Sequence, residues 1–314
     1  MKAFKGLLVL ATGILFYILV RYSTSNHVVQ DAQTKKLYIV CTTSMIADAV
    51  HNVAGDLVEV HALMGPGVDP HLYKARAGDV QKLQKADIIF YNGLHLEGKM
   101  GDLFASLKSS KRTEAVADAI PKNKLLEVGI EGVYDPHIWH DVSLWVAIVE
   151  YIAQVLAQED LRNAAYYERH AAGYKHLLQE LDVHIKKTID RLPPGHRILV
   201  TAHDAFHYFG KAYGLQVVGL QGISTDSEIS IKDIRDLADF IATHSVRAIF
   251  IESSLPERNI QAVQKAVQAR GSSVQLGQEL YSDALGAEGS DAATYDTMMR
   301  HNVETIVAAL SGRG

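Results

Sequence analysis

NAAYYERHAAGYKHLLQELDVHIKKTIDRLPPG, residues 163–195, contains one glycine (Gly173) before Arg191 and no proline until Pro193-Pro194-Gly195. At 1.5 Å per residue, a helix unbroken from Asn163 to Arg191 reaches roughly 40 Å, enough to connect two lobes rigidly. Tandem prolines then stop it, because each ring fixes φ and removes a backbone donor. Upstream, from about Asp141, the pattern is helical as well, with Leu144, Ile148, Tyr151, Ile152 and Leu156 recurring on one face. No strand signal occurs from there to Leu192, so the chain is parted into two regions.

The two regions read alike. After the long helix, apolar β-rich runs fall at Arg197–Thr201, Gln216–Leu220, Ala248–Glu252 and Ser273–Leu276. Helical stretches alternate with them. Ile231, Ile234, Leu237, Ala238 and Ile241 form one apolar stripe, Pro256 to Arg270 begins with proline and ends at Gly271, and a last helix runs from about Ala293 to Leu310. Before the long helix, the strands are Leu37–Thr42, Leu57–Met64, Asp87–Tyr91 and, on a weaker pattern, Leu125–Val128. Ser44 caps a helix ending near Gly55, and Ala75–Ala86 forms another. Such alternation predicts an α/β fold of two similar lobes with mostly parallel sheets joined by one long backbone helix. The expected organisation is an N-terminal α/β lobe over 36–160, the linking helix over 161–195 and a C-terminal α/β lobe over 196–314.

Two tripeptides, Asp69-Pro70-His71 and Asp135-Pro136-His137, place an imidazole on a stiffened turn, since proline restricts both itself and the residue before it. His71 follows the second strand, His137 the fourth candidate strand, His203 the first strand of the second region and Asp283 its fourth. In open α/β sheets ligands bind beyond the carboxyl ends of strands, and two lobes facing each other there form a cleft. Three imidazoles and a carboxylate, two groups from each lobe, suit a divalent cation. Other readings stand beside this one: His203 as a capping or packing residue, Asp283 as a solvated loop acid. His140, His207 and His95 are nearby rivals. His203 and His207 share a helical spacing, but no glutamate follows His203, so a His-Glu-x-x-His protease arrangement is absent. Asp69, Asp135 and Asp204 suit orienting or turn roles better than ligation.

Composition narrows the partners. The chain has 314 residues, a formal charge of −5 and no concentrated Lys/Arg block, which argues against nucleic acid. Its one cysteine, Cys41, lies in the apolar run Leu37-Tyr38-Ile39-Val40-Cys41, so any metal site must be built from His, Asp or Glu. At the N-terminus, Lys2 and Lys5 precede an apolar run from Leu7 to Val20. That fits a secretory signal better than a membrane span of about 20 residues. No clear Ala-x-Ala site follows and no cysteine lies near its end, so residues 1–35 are expected to be a signal peptide or an uncleaved signal anchor with a linker.

Several ordered stretches carry a resemblance: Gly67-Val68-Asp69-Pro70-His71-Leu72-Tyr73, residues 86–100 (ADIIFYNGLHLEGKM), Asp135-Pro136-His137-Ile138-Trp139, Thr201-Ala202-His203-Asp204-Ala205-Phe206, Leu220-Gln221-Gly222-Ile223-Ser224-Thr225 and Ile249-Phe250-Ile251-Glu252-Ser253-Ser254. With these the chain, from about residue 36 onward, resembles the metal-binding receptors of the cluster A-I (cluster 9) ABC importers, most closely the TroA-type zinc/manganese receptors. The resemblance implies two lobes joined by a backbone helix, a metal in the interlobe cleft, and His71, His137, His203 and Asp283 as its ligands. It implies a structural role for His95 and matches His140 and His207 to no ligand position. Many similar manganese-dedicated receptors carry glutamate where this chain has His203, and many zinc-dedicated ones carry a long His-rich acidic loop that is missing here.

The expected function is therefore that of a solute-binding protein, not an enzyme, which captures Zn²⁺ or Mn²⁺, ahead of Fe²⁺, and hands it to an ABC permease and its ATPase. The alternatives are a zinc-dependent hydrolase and a surface adhesin role on the same fold. The expected setting is periplasmic or otherwise extracytoplasmic, as a monomer, with inner-membrane anchoring through the N-terminal segment left open.

Overall fold

The computed structural model describes residues 35–312. The expected signal segment lies outside the described residues. The first sheet is built from β1 (Leu37–Cys41), β2 (Val58–Ala62), β3 (Ile88–Tyr91) and β4 (Arg112–Ala115), all parallel, in the spatial order β2-β1-β3-β4. The second sheet, β5 (Ile198–His203), β6 (Gln216–Gln221), β7 (Ala248–Glu252) and β8 (Gln275–Leu280), repeats the pattern as β6-β5-β7-β8, again parallel. Parallel neighbours need crossovers. These are α1 (Ser44–Ala54), α2 (Ala77–Lys85) and α3 (Gly101–Leu107) in the first sheet, and α6 (His207–Tyr213), α7 (Ile231–His244) and α8 (Arg258–Gln268) in the second. Between the sheets run α4 (Val142–Glu159) and α5 (Ala164–Ile189), and α9 (Tyr295–Ser311) closes the chain.

The long stretch read first from the sequence is α5, a single helix of 26 residues, about 39 Å long. It buries Tyr167, Ala171, Tyr174, Leu178, Leu181 and Ile185, spaced three or four apart, and turns its charged side chains outward. α4 is apolar and long enough to cross a bilayer by those criteria alone, yet Trp145, Ile148, Val149 and Ile152 are buried within the protein. α1 starts where the Thr43 hydroxyl accepts from the Ile46 N–H, one residue before the expected cap at Ser44.

One apolar core runs through both sheets. Ile39, Phe90, Trp145, Leu178, Leu199, Phe206, Phe250 and Met298 belong to the same buried cluster, whereas smaller cores lie under α2 and α3 (Val40, Leu83, Ile89, Phe104) and under α7 and α8 (Leu237, Ile241, Ile260, Val263). Two strand expectations shift. The fourth strand of the first sheet is Arg112–Ala115; Leu125–Val128 is irregular and makes only an isolated bridge from Glu127 to Tyr134. The last strand is Gln275–Leu280, later than the expected Ser273–Leu276, and it ends directly before the loop that carries Asp283.

Candidate metal centre

The two Asp-Pro-His turns share one kind of hydrogen bond. Asp69 Oδ1 accepts the His71 N–H at 2.8 Å, and Asp135 Oδ1 accepts the His137 N–H at 2.9 Å. Asp135 Oδ1 also lies 2.7 Å from His137 Nδ1, which turns Nε2 away from the carboxylate. Asp69 instead reaches across to the second lobe, where its Oδ2 accepts from the Thr225 hydroxyl at 2.6 Å. His203 is the last residue of β5, and Glu252, the last of β7, holds both its N–H (2.9 Å to Oε1) and its Nδ1 (2.6 Å to Oε2).

These constraints bring His71, His137, His203 and Asp283 together, each buried, with one donor atom apiece all within 4.8 Å of one another. His71 Nε2 is 3.2 Å from His137 Nε2, His203 Nε2 is 3.3 Å from Asp283 Oδ2, and His137 Nε2 is 3.6 Å from Asp283 Oδ1. Donors about 2.0–2.1 Å from a tetrahedral ion stand about 3.3–3.4 Å apart, close to these three separations. His203 Nε2 and Asp283 Oδ1 are buried without a hydrogen bond, a state that polar atoms avoid unless something else satisfies them.

Electrostatics fit a cation. Burial and the neighbouring His137 push His71 down to about 3, so its ring is neutral. Burial also opposes charge on His203, but Glu252 and Asp283 outweigh it and hold His203 well above the usual histidine range. Burial likewise disfavours the Asp283 carboxylate, yet His203 and His137 keep it well below the usual carboxylate range. Asp283 is thus held as an anion, facing His203 and His137.

The rival histidines stand outside the cage. His140 is fully buried, with Nε2 3.0 Å from the Ser282 carbonyl and its ring stacked on Phe206 at 4.3 Å, so it braces the loop that carries Asp283. The Trp139 indole N–H donates to the same carbonyl at 2.8 Å. His207 lies between carboxylates, Nδ1 3.4 Å from Asp135 Oδ2 and Nε2 3.5 Å from Asp204 Oδ1. His95 is an exposed turn residue at φ +64°. Asp204 accepts the N–H of Gly219 in β6 at 2.6 Å, which fastens the end of β5 to the neighbouring strand. Sequence reasoning gave no role to Glu252. The available signal was an acidic residue closing the apolar strand Ala248-Ile249-Phe250-Ile251-Glu252, because a charge at the end of a buried strand needs a partner.

Known proteins share this fold over most of the chain. The profile of the family described as ZnuA, zinc-uptake complex component A, periplasmic, matches residues 39–309. The manganese-binding lipoprotein MntA of Bacillus subtilis is 46% identical over 276 residues, covering 88% of this chain and 90% of that protein. The zinc-binding protein TroA of Treponema pallidum is 49% identical over 276 residues, covering 88% and 89%. The solved structure of the periplasmic TroA from that organism superposes with a TM-score of 0.86 at 48% identity, over 88% of this chain and 99% of that one. With two parallel sheets of matching order, a His/Asp cluster between them and a family match across nearly all described residues, the chain belongs to the ZnuA family of metal-binding substrate-binding proteins.

Proposed function

We propose that this chain captures Zn²⁺ or Mn²⁺ through the Nε2 atoms of His71, His137 and His203 and the carboxylate of Asp283, and delivers it to the permease and ATPase of an ABC importer. The observation that carries this reading is the convergence of four buried donors within 4.8 Å of one another, two of them without a hydrogen bond. MntA is named for manganese and TroA for zinc, so the relatives support either cargo. Three nitrogens and one oxygen favour zinc, whereas a carboxylate able to bind through both oxygens also accommodates manganese; Fe²⁺ comes third. Intrinsic affinity favours Zn²⁺ over Mn²⁺ at almost any such site, so the cargo in the cell follows metal availability.

Four protein donors leave no position for the activated water of a zinc hydrolase, which supports a carrier and not an enzyme. The proposed lobes are 36–160 and 196–314, with 161–195 as the connecting helix. The protein is proposed to act as an extracytoplasmic monomer, exported by its N-terminal segment and held at the membrane if that segment stays uncleaved.

Elemental analysis of protein purified without added metal, followed by competition titration with Zn²⁺ and Mn²⁺, tests the reading. About one equivalent per chain is expected, with His71→Ala and Asp283→Ala each weakening binding. Protein that is metal-free and takes up neither ion refutes capture. Unchanged affinity in Asp283→Ala removes that residue from the ligand set.

A further inference from the structure

Each lobe grips one histidine ring with a buried carboxylate, and the two grips differ by one atom. Asp135 uses a single oxygen, Oδ1, for both the backbone N–H and the ring Nδ1 of His137. Glu252 divides the same task, with Oε1 on the His203 N–H at 2.9 Å and Oε2 on Nδ1 at 2.6 Å. The partnership is a register effect. β5 and β7 are adjacent parallel strands with Val200 opposite Ile249, and three residues on along each strand His203 meets Glu252. Both side chains are sealed from water.

We propose that Glu252 is the positioning residue of the second half-site: it fixes the hydrogen of His203 on Nδ1 and so leaves the Nε2 lone pair aimed at the metal. This rests on the metal-capture reading above, with His203 as a ligand. A carboxylate offers only acceptors, so the ring atom facing it must carry hydrogen. Nε2, on the far side of the ring, has no hydrogen bond and faces Asp283.

Replacing each carboxylate by its amide separates this role from mere charge. In Glu252→Gln, the one remaining acceptor must stay on the His203 N–H, which cannot change its polarity. The amide NH₂ then faces Nδ1, which becomes an acceptor, and the ring hydrogen moves to Nε2, where the metal would bind. In Asp135→Asn no such conflict arises, because Oδ1 alone serves both His137 hydrogens and remains an oxygen. The new NH₂ replaces Oδ2, which has no hydrogen bond of its own and lies 3.4 Å from His207 Nδ1; that ring can accept there by keeping its hydrogen on Nε2, which faces Asp204 at 3.5 Å. Each variant loses one negative charge, so only the tautomer distinguishes them.

The experiment measures Zn²⁺ affinity by chelator competition for the wild type, Glu252→Gln and Asp135→Asn, with circular dichroism as a check on folding. Long-range ¹H–¹⁵N spectra of the histidine rings are recorded for the metal-free variants at alkaline pH. Glu252→Gln is expected to lose about 10–100-fold in affinity and to carry the His203 hydrogen on Nε2, while Asp135→Asn loses less than about tenfold. Wild-type affinity in Glu252→Gln, or an equal loss in Asp135→Asn, overturns the proposal. If Glu252→Gln does not fold, the Zn²⁺-loaded wild type decides: an exchange-protected hydrogen on His203 Nδ1 supports the proposal and its absence overturns it. Failure of the wild type to bind Zn²⁺ strikes the metal-capture reading itself, and the metal-free wild-type spectrum then reports separately on whether Glu252 holds the Nδ1 hydrogen.

Discussion

In each Asp-Pro-His turn the aspartate accepts the N–H of the histidine two residues on, so the tripeptide is an Asx turn stiffened by its central proline. That bond is local, which is why both turns were legible as sequence. Glu252 was not, because its partner His203 lies 49 positions away and meets it only through the pairing of β5 with β7. The same carboxylate bears on proton traffic. Burial opposes a charged His203, but Glu252 and Asp283 together hold it well above its usual value, which favours a second proton, on Nε2, in the metal-free ring. Metal must displace that proton. His71, pushed down to about 3, holds none to release. A proton competing at one ligand weakens metal binding as pH falls through the ligand's pKa, by about tenfold per unit below it. Since His203 lies above 6.5, the decline begins on the alkaline side of that value. Calorimetry at pH 7 in buffers of different ionisation enthalpy should count close to one proton released per metal ion; a count of zero contradicts this assignment.

Among the elements, glycines at two positions make opposite predictions. Gly219 lies in β6 where a Cβ would come within 2.6 Å of the Asp204 nitrogen, Asp204 Oδ1 and the His203 carbonyl carbon. Only glycine lets β6 press against the end of β5. Gly219→Ala should therefore cost about 1–3 kcal/mol of stability and weaken metal binding by displacing His203. Gly173 is exposed in the middle of α5, at an ordinary helical φ, with nothing within 4 Å of a Cβ. Gly173→Ala should stabilise the protein by about 0.5–1 kcal/mol and leave metal affinity alone. Thermal unfolding and Zn²⁺ titration of the pair check both, and a destabilised Gly173→Ala would mean that α5 bends there. The elements were read with unequal success for a physical reason. α5 announces itself by length and stripe. β4, Arg112-Thr113-Glu114-Ala115, is a short, polar edge strand with neither a long apolar run nor a second pairing partner, and so it leaves little trace in the pattern.

For the whole molecule, two lobes were legible from the segment between them, but the bonding of the Asp283 loop was not. By chain order Asp283 belongs to the second sheet, yet its surroundings tie it to the first. The Ser282 carbonyl accepts from Trp139 Nε1 at 2.8 Å, the Leu285 N–H donates to Ser44 Oγ at 2.9 Å, and the Tyr295 hydroxyl donates to the Trp139 carbonyl at 2.6 Å. Trp139, Phe206, Tyr208 and Tyr295 are fully or almost fully buried in the shared core, and exposing them at about 2 kcal/mol each would cost about 8 kcal/mol. That is comparable to the stability of a whole domain, so it opposes any swing of the lobes wide enough to expose them. The mouth of the cleft is held more lightly, by Asp69 with Thr225 and by an exposed Lys99–Asp226 pair at 2.6 Å. The His71 loop has no regular structure, and no carboxylate grips the His71 ring as Asp135 and Glu252 grip theirs among the described residues. Removing the metal should therefore loosen residues 65–76 and 222–230 while 281–310 stays protected. Hydrogen exchange of the Zn²⁺-loaded and chelator-treated protein should place the added exchange in those two loops, and small-angle scattering of the two forms should superimpose. Loss of protection along α9, or a larger radius of gyration without metal, would show instead that the shared core parts on release. Mass action adds a second readout: at free Zn²⁺ a hundred times the dissociation constant, the loaded protein gains about 2.7 kcal/mol against unfolding.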